Sequence, residues 1–273
     1  MGVDNPAEEP TSKFAPRPAE TTMSNSHLPP ETLDHIVDLL LDKPKALRKC
    51  CLVSKSWIPR ARKHIFADIQ FRSANDLKSW KQTFPDPANS PAFHTHTLFV
   101  GCPQVIEDAD GGEGGWIRTF SRVERLTVNF PWMAVGVSLA PFQKLSPSLK
   151  SLRVTFRLLP CEQIFNLIHS FPLLEDLALI GHNVSPADGS ELDIPPTSPA
   201  FTGTLVLDLH EGMANIAPQL LDLPNGLHFQ KLNLSWGNEE GLRLVEQLVV
   251  ACSDTLEYLE ILGGEVYSAS PSD

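Results

Sequence analysis

No stretch of 18 consecutive apolar residues occurs in the 273-residue chain, so no membrane-crossing helix is expected. The opening residues show no basic-then-apolar leader. Met1-Gly2-Val3-Asp4-Asn5-Pro6 also lacks the hydroxyl that a myristoylation site places sixth. Cysteine is scarce and unpatterned: Cys50 and Cys51 are adjacent, while Cys102, Cys161 and Cys252 are scattered. Five is an odd number and none of the spacings suits zinc, so a disulfide framework and a structural metal are both disfavoured. The expectation is a reducing compartment, cytoplasm and/or nucleus, with the thiols acting as small buried hydrophobes. Positive charge is also short, 22 Lys/Arg against 33 Asp/Glu. General nucleic-acid binding needs a basic footprint and is not expected.

Catalytic and metal-binding signatures are missing as well. His94-Thr95-His96 would share one face of a strand but has no third ligand nearby, which reads as a solvent-facing pair. Asp108-Ala109-Asp110, followed by four glycines around Glu113, resembles the front of a calcium loop without its later bidentate Glu. That glycine run also lacks the Lys-Ser/Thr ending of a phosphate cradle. His210-Glu211 has no second His four residues on, and the serine before Trp57 sits in no Gly-x-Ser-x-Gly elbow. No enzyme, metal or cofactor reading survives.

What the chain does contain begins at residue 28. Leu33, Ile36, Val37, Leu40 and Leu41 draw an apolar stripe at helical spacing, with Pro30 suited to the first turn. Asp42-Lys43-Pro44 breaks and restarts the pattern. Leu47, Cys50, Cys51 and Val53 then make a second face, and Trp57, Ala61 and Ile65 a third, with Ser54 or Ser56 as N-cap. The basic string Arg60-Ala61-Arg62-Lys63-His64 reads as the polar face of this third helix. Residues 28–72 carry nine Lys/Arg against five Asp/Glu, whereas residues 73–273 carry 11 against 24. Three short helices in about 44 residues cannot hide all this apolar surface among themselves, and some of it should lie open.

The order LPPE, LDHIVDLL, CLVSKSW, ARKHIF resembles an F-box, most closely in its fungal form. The resemblance covers about a sixth of the chain. It implies docking onto the Skp adaptor of a Skp–cullin–F-box ubiquitin ligase, and through it a cullin-RING assembly. By this likeness the adaptor contacts are Leu28, Pro29, Leu33, Ile36, Leu40, Leu47, Val53 and Trp57. The alternative is a small three-helix bundle with a buried core and no partner.

From residue 95 the chain repeats. THTLFV, VERLTV, SLKSLRVTF, LLEDLALI, GTLVLDL, FQKLNLSW and TLEYLEIL centre on Leu98, Leu126, Leu152, Leu177, Leu205, Leu232 and Leu259, at gaps of 28, 26, 25, 28, 27 and 27 residues. The period lies in the range of leucine-rich repeats. Alternation of period two places these leucines on one strand face and their neighbours on the other. Helical spacing returns between strands, in PCEQIFNLIHSF and in Leu242–Cys252, the latter with Asn238 as N-cap; Ser73 with Asp76 looks like a capping box. Five positions after each central leucine, where standard repeats carry Asn or Cys, stand Pro103, Pro131, Arg157, His182, His210, Gly237 and Gly264. An irregular solenoid without an asparagine ladder is therefore expected, with residues 181–203 as an excursion. About a dozen residues follow the seventh strand, little from which to build a terminal cap.

The fold expected is α/β: a short three-helix F-box, then an irregular leucine-rich-repeat solenoid with parallel strands inside and helices outside. Its parts are a disordered tail rich in Pro, Glu, Ser and Thr at 1–26, the F-box at 27–72, a helical linker at 73–94, about seven repeats at 95–264 and a tail at 265–273. Residues flanking the central leucines should face a protein target. Arg125, Asn129, Arg153, Asp176, Asp208, Lys231, Asn233 and Tyr258 are the candidates, against the background of an ordinary solvated sheet face. The functional expectation is a non-catalytic substrate receptor of a ubiquitin ligase; the alternative is an interaction scaffold unconnected with ubiquitination.

Overall fold

The computed structural model describes residues 29–102, 115–130, 138–157, 159–181, 184–185, 199–209 and 215–263. The tails expected at 1–26 and 265–273, Leu28, Asp108 to Gly114, most of the 181–203 excursion and His210-Glu211 lie outside them.

Three helices open the described chain: α1 (Pro30–Asp38), α2 (Pro44–Val53) and α3 (Ile58–Ile65), the last entered through a 3-10 turn at Lys55–Trp57. Each α-helix has a proline in its first turn, where the missing N–H costs nothing. Ser54 Oγ accepts the Ser56 N–H at 3.3 Å to start the 3-10 turn. Val37, Leu47, Cys50 and Ala61 make a small core against which Leu40, Cys51, Trp57 and Ile65 pack. The apolar stripe expected to continue through Leu41 stops short: α1 ends at Asp38, and Leu41 lies in the following turn, exposed.

Ten strands follow: β1 (Asp68–Phe71), β2 (Thr97–Val100), β3 (Arg125–Phe130), β4 (Ser151–Phe156), β5 (Leu159–Pro160), β6 (Asp176–Gly181), β7 (Val184–Ser185), β8 (Thr204–Leu209), β9 (Lys231–Trp236) and β10 (Tyr258–Gly263). Eight form one parallel, open sheet in the order β1-β2-β3-β4-β6-β8-β9-β10, and β5 pairs with β7 apart from it. All seven periodic leucines stand in direct register across it, from Leu98 to Leu259. β1 is an eighth main strand that the repeat pattern does not announce. It falls within residues assigned to the helical module, and Ile69 takes the place of the leucine beside Leu98.

One face of the sheet is apolar and closed. Leu98, Val100, Leu126, Val128, Leu152, Val154, Leu177, Leu179, Leu205, Leu207, Leu232 and Leu234 belong to a single core. The connecting helices contribute to the same core: α4 (Ala74–Thr83) through Leu77, α5 (Cys161–His169) through Ile164 and Leu167, α6 (Ile216–Leu221) through Ile216, and α7 (Glu239–Ala251) through Val245 and Leu248. In the described part of the connections between β2 and β4 lie 3-10 turns at Trp116–Thr119 and Ala140–Lys144. Asp76 Oδ2 accepts the N–H of Ser73 at 2.8 Å at the start of α4, and Asn238 Oδ1 accepts that of Gly241 at 2.8 Å at the start of α7, so both expected helix starts are present.

The main chain supplies the tie between successive strands that asparagines supply in standard repeats. The carbonyls of Ala67, His96, Glu124, Lys150, Gly203 and Gln230 each accept two consecutive N–H groups from the start of the next strand, at 2.8–3.2 Å. One step departs from this. The Glu175 carbonyl accepts only Gly203 N–H, and Asp176 Oδ1 accepts Thr204 N–H at 2.7 Å. A Cβ at position 203 would collide with that carboxylate oxygen, so the close approach requires glycine. A second tie recurs from buried or half-buried hydroxyls. Thr95, Ser146 and Thr255 donate to the carbonyls of Phe66, Ser121 and Phe229, at 2.9, 2.9 and 3.2 Å.

Candidate functional site

Two surfaces hold the residues singled out by sequence. On the helical unit, α1 is clamped to α3 by Asp38, which accepts from Arg60 Nε and Nη2 at 2.7 and 2.5 Å and lies 2.7 Å from His64 Nε2. The Arg60 hydrogen bonds, then that of His64, hold the Asp38 carboxyl well below the usual carboxylate range. Half of the basic string on α3 is thereby engaged within the unit, and Arg62 lies 5.9 Å from the centre of the Phe66 ring. Leu33, Ile36, Leu40 and Trp57 are half-buried, and Pro29 is exposed.

Leu47 is 1% exposed and is the centre of the unit's core rather than part of its surface. Val53, from the same apolar face, is exposed. The other large apolar side chains left open here are Leu39, Leu41 and Leu52, the last 87% exposed. The sequence pattern puts Leu41 in the apolar stripe of the first helix and does not single out Leu39 or Leu52. Their signal was available: each falls one residue off the helical stripe of its segment, on the side where a solvated helix carries polar residues.

The second surface is the open face of the sheet. Register places Thr97, Arg125, Ser151, Asp176, Thr204, Lys231 and Tyr258 in one row, and Phe99, Thr127, Arg153, Ala178, Val206, Asn233 and Glu260 in the next. Arg125, Arg153 and Asp176 meet at a depression of about 330 Å³ lined also by Thr97, Ser151 and Thr204. The remaining candidates do not line it. Asp208 accepts from Ser235 Oγ at 2.7 Å. Asn129 and Asn233 keep their amide oxygens shielded from solvent, with no hydrogen-bond partner among the described residues. Tyr258 stands on β10 at 51% exposure.

Asp176 turns out to be a tie between β6 and β8, through Thr204, rather than a free carboxylate. The residues just before the strands are paired as well: His96 Nδ1 lies 3.4 Å from Glu124 Oε1, and Lys150 Nζ lies 3.3 Å from Glu175 Oε1. The two arginines are the exposed charges of the depression.

His94 and His96 do not share a strand face as expected. His94 ends a 3-10 turn at Pro91–His94 and His96 precedes β2; both are half-buried rather than solvent-facing. Burial, then the nearby charges of Arg62, Arg122, Lys63 and His96, lowers the affinity of His94 for a proton. Burial pushes the Cys161 thiol up to about 11, against the opposing hydrogen bond to Gln219. A thiol so placed is a poor nucleophile. Among the described residues no group of three His, Cys, Asp or Glu is placed to hold a metal, and no helix is long and apolar enough to cross a membrane. Compared with known protein families and with characterised proteins, the chain matches none.

Proposed function

We propose that the chain is a substrate-recognition subunit of a Skp–cullin–F-box ubiquitin ligase, in which the helical unit is an F-box that docks the Skp adaptor. In this reading the parallel sheet with its connectors is an irregular leucine-rich-repeat solenoid that holds a protein target. The observation that carries it is the exposure of Leu39, Leu41, Leu52 and Val53 on a three-helix unit whose sequence has F-box order. Covering four such side chains would contribute roughly 6–12 kcal/mol gross, of which association consumes a large part. The chain itself performs no chemistry in this scheme: binding both partners raises the concentration of target lysines beside the ubiquitin-carrying enzyme. Arg125 and Arg153 are its best target contacts, being exposed and together at the depression.

Leu52→Asp with Val53→Asp should abolish co-purification of the Skp adaptor while leaving the thermal melt of the chain unchanged, since both positions are already open to solvent. Adaptor retained by the double variant would defeat the docking face. The second reading is a scaffold outside ubiquitination. It is favoured by the attachment of the helical unit to the sheet, where Thr95 Oγ1 donates to the Phe66 carbonyl just after α3. That reading expects no adaptor with the unaltered chain.

A further inference from the structure

Among the described residues, β1 pairs only with β2, so the first strand of the sheet has one side without a described neighbour. The Ala67 carbonyl accepts from His96 and Thr97, and the Phe71 carbonyl accepts from Gly101, so these peptide groups point toward β2. Period-two alternation then turns the N–H and C=O of Asp68 and Gln70 to the opposite, unpaired side. A cavity of about 710 Å³ runs along that side. All four residues of β1 line it regardless of which sheet face they occupy, which marks it as lying along the edge. Its far wall comes from α2 and α3, with Ile58 and Ile65 as apolar lining, and Trp80 and Phe84 of the α4 segment close it. An exposed edge invites a further strand, and this one has a greasy wall facing it.

The charges at the slot are unevenly committed. Asp76 accepts the N–H groups of Arg72 and Ser73 at 2.9 and 2.8 Å, and Asp68 accepts from the Gln70 amide at 3.2 Å. Arg48 and Arg62, on the opposite wall, are exposed and have no carboxylate partner among the described residues. We infer that the slot receives an extended segment of a partner protein, with large apolar residues alternating with acidic ones, which adds to Asp68–Phe71 as a ninth strand. Its main chain pairs with Asp68 and Gln70, its apolar side chains enter against Ile58, Ile65 and Trp80, and a carboxylate meets Arg48 or Arg62. The other open edge, at β10, carries strand residues exposed on both faces and offers no such enclosure.

The probe is the synthetic peptide acetyl-VEFEV-amide, titrated calorimetrically into the full chain, with amide hydrogen exchange read residue by residue. Saturable binding is expected, with slowed exchange at Gln70. Methylating one alternating set of peptide amides should weaken binding at least tenfold, whereas methylating the other set should leave it unchanged, since a strand presents only every second amide to its neighbour. Arg48→Glu with Arg62→Glu should weaken it by about tenfold with an unaltered thermal melt, both side chains being exposed. Absence of saturable binding, protection at Tyr258–Gly263 in place of Gln70, or equal loss from both methylated sets would overturn the inference. None of these outcomes depends on the Skp adaptor.

Discussion

The two ends of the sheet are built on the same register and covered very differently. At the β1 end, Phe71 is 2% exposed and sits in an aromatic cluster with Trp80, Trp116 and Phe120, whose ring centroids lie 5.1–6.1 Å from its own. Phe66 and Phe84 extend the cluster along α4. At the β10 end, Leu259 and Ile261 are 41% and 44% exposed, although the same two positions in β9, Leu232 and Leu234, are 0% and 1% exposed. A leucine at the right place in the repeat is therefore not enough for burial. In a parallel sheet the strand is covered by the connector that crosses back over it, and α4 with the following aromatics does this for β1.

The largest test of that difference is Phe71→Ala. Removing a fully buried ring from the cluster should cost about 3–5 kcal/mol in urea unfolding, enough to threaten the whole domain if its stability is ordinary. A cost near that of a surface substitution would mean the cluster is decoration and the β1 end no firmer than the β10 end.

Sequence periodicity made the middle of this sheet legible and lost it at the margins, for identifiable reasons. Seven leucines at nearly even spacing located seven strands and their register, because strand alternation and strand-to-strand repeat reinforce one another. The starts of α4 and α7 were readable from Ser73, Asp76 and Asn238, since a capping side chain acts within one turn of its own helix. β1 escaped because it has four residues, carries Ile69 in place of the leucine and sits inside a helical pattern. α6 is a six-residue helix with Pro218 within it, too short and too interrupted to show a stripe.

On the surfaces, strand alternation puts Arg125, Arg153 and Asp176 on one face with the five other candidates, but it does not show that these three line one depression or that Asp176 is engaged by Thr204. That bond joins residues 28 apart and depends on Gly203 admitting the carboxylate. Leu47, an adaptor contact by the family likeness, lies in the core of the helical unit; helical spacing alone cannot say which of several apolar residues is innermost.

Acid should weaken the well-covered region more than either end. His169 closes α5, and both its ring nitrogens are shielded without a partner among the described residues, so burial lowers its proton affinity from the ordinary value of 6.5. The unfolded chain therefore takes up this proton first. Stability is unaffected above the ordinary histidine value and falls as the pH drops from there through the lowered folded value. Melting temperature should decline as the pH drops below the ordinary histidine value, and His169→Leu should flatten that decline. An identical slope in the variant would place the acid sensitivity elsewhere; the Asp38 clamp weakens only below the ordinary carboxylate value, where the unfolded chain takes up that proton first, and so acts at lower pH still.

The smallest effect expected is at the bare end, and it tests the comparison most directly because the sequence position is held constant. Leu232 and Leu259 are partners in the same ladder, one residue fully covered and the other substantially open. Leu232→Ala should cost about 2–5 kcal/mol. Leu259→Ala removes a side chain that already meets water, leaves a smaller void, and should cost less than about 1 kcal/mol. Equal costs would show that β10 is covered in solution. Repeating both measurements across a hundredfold range of protein concentration then separates the possible covers: a second copy makes the Leu259→Ala cost grow with concentration, whereas a cover from within the chain leaves it constant.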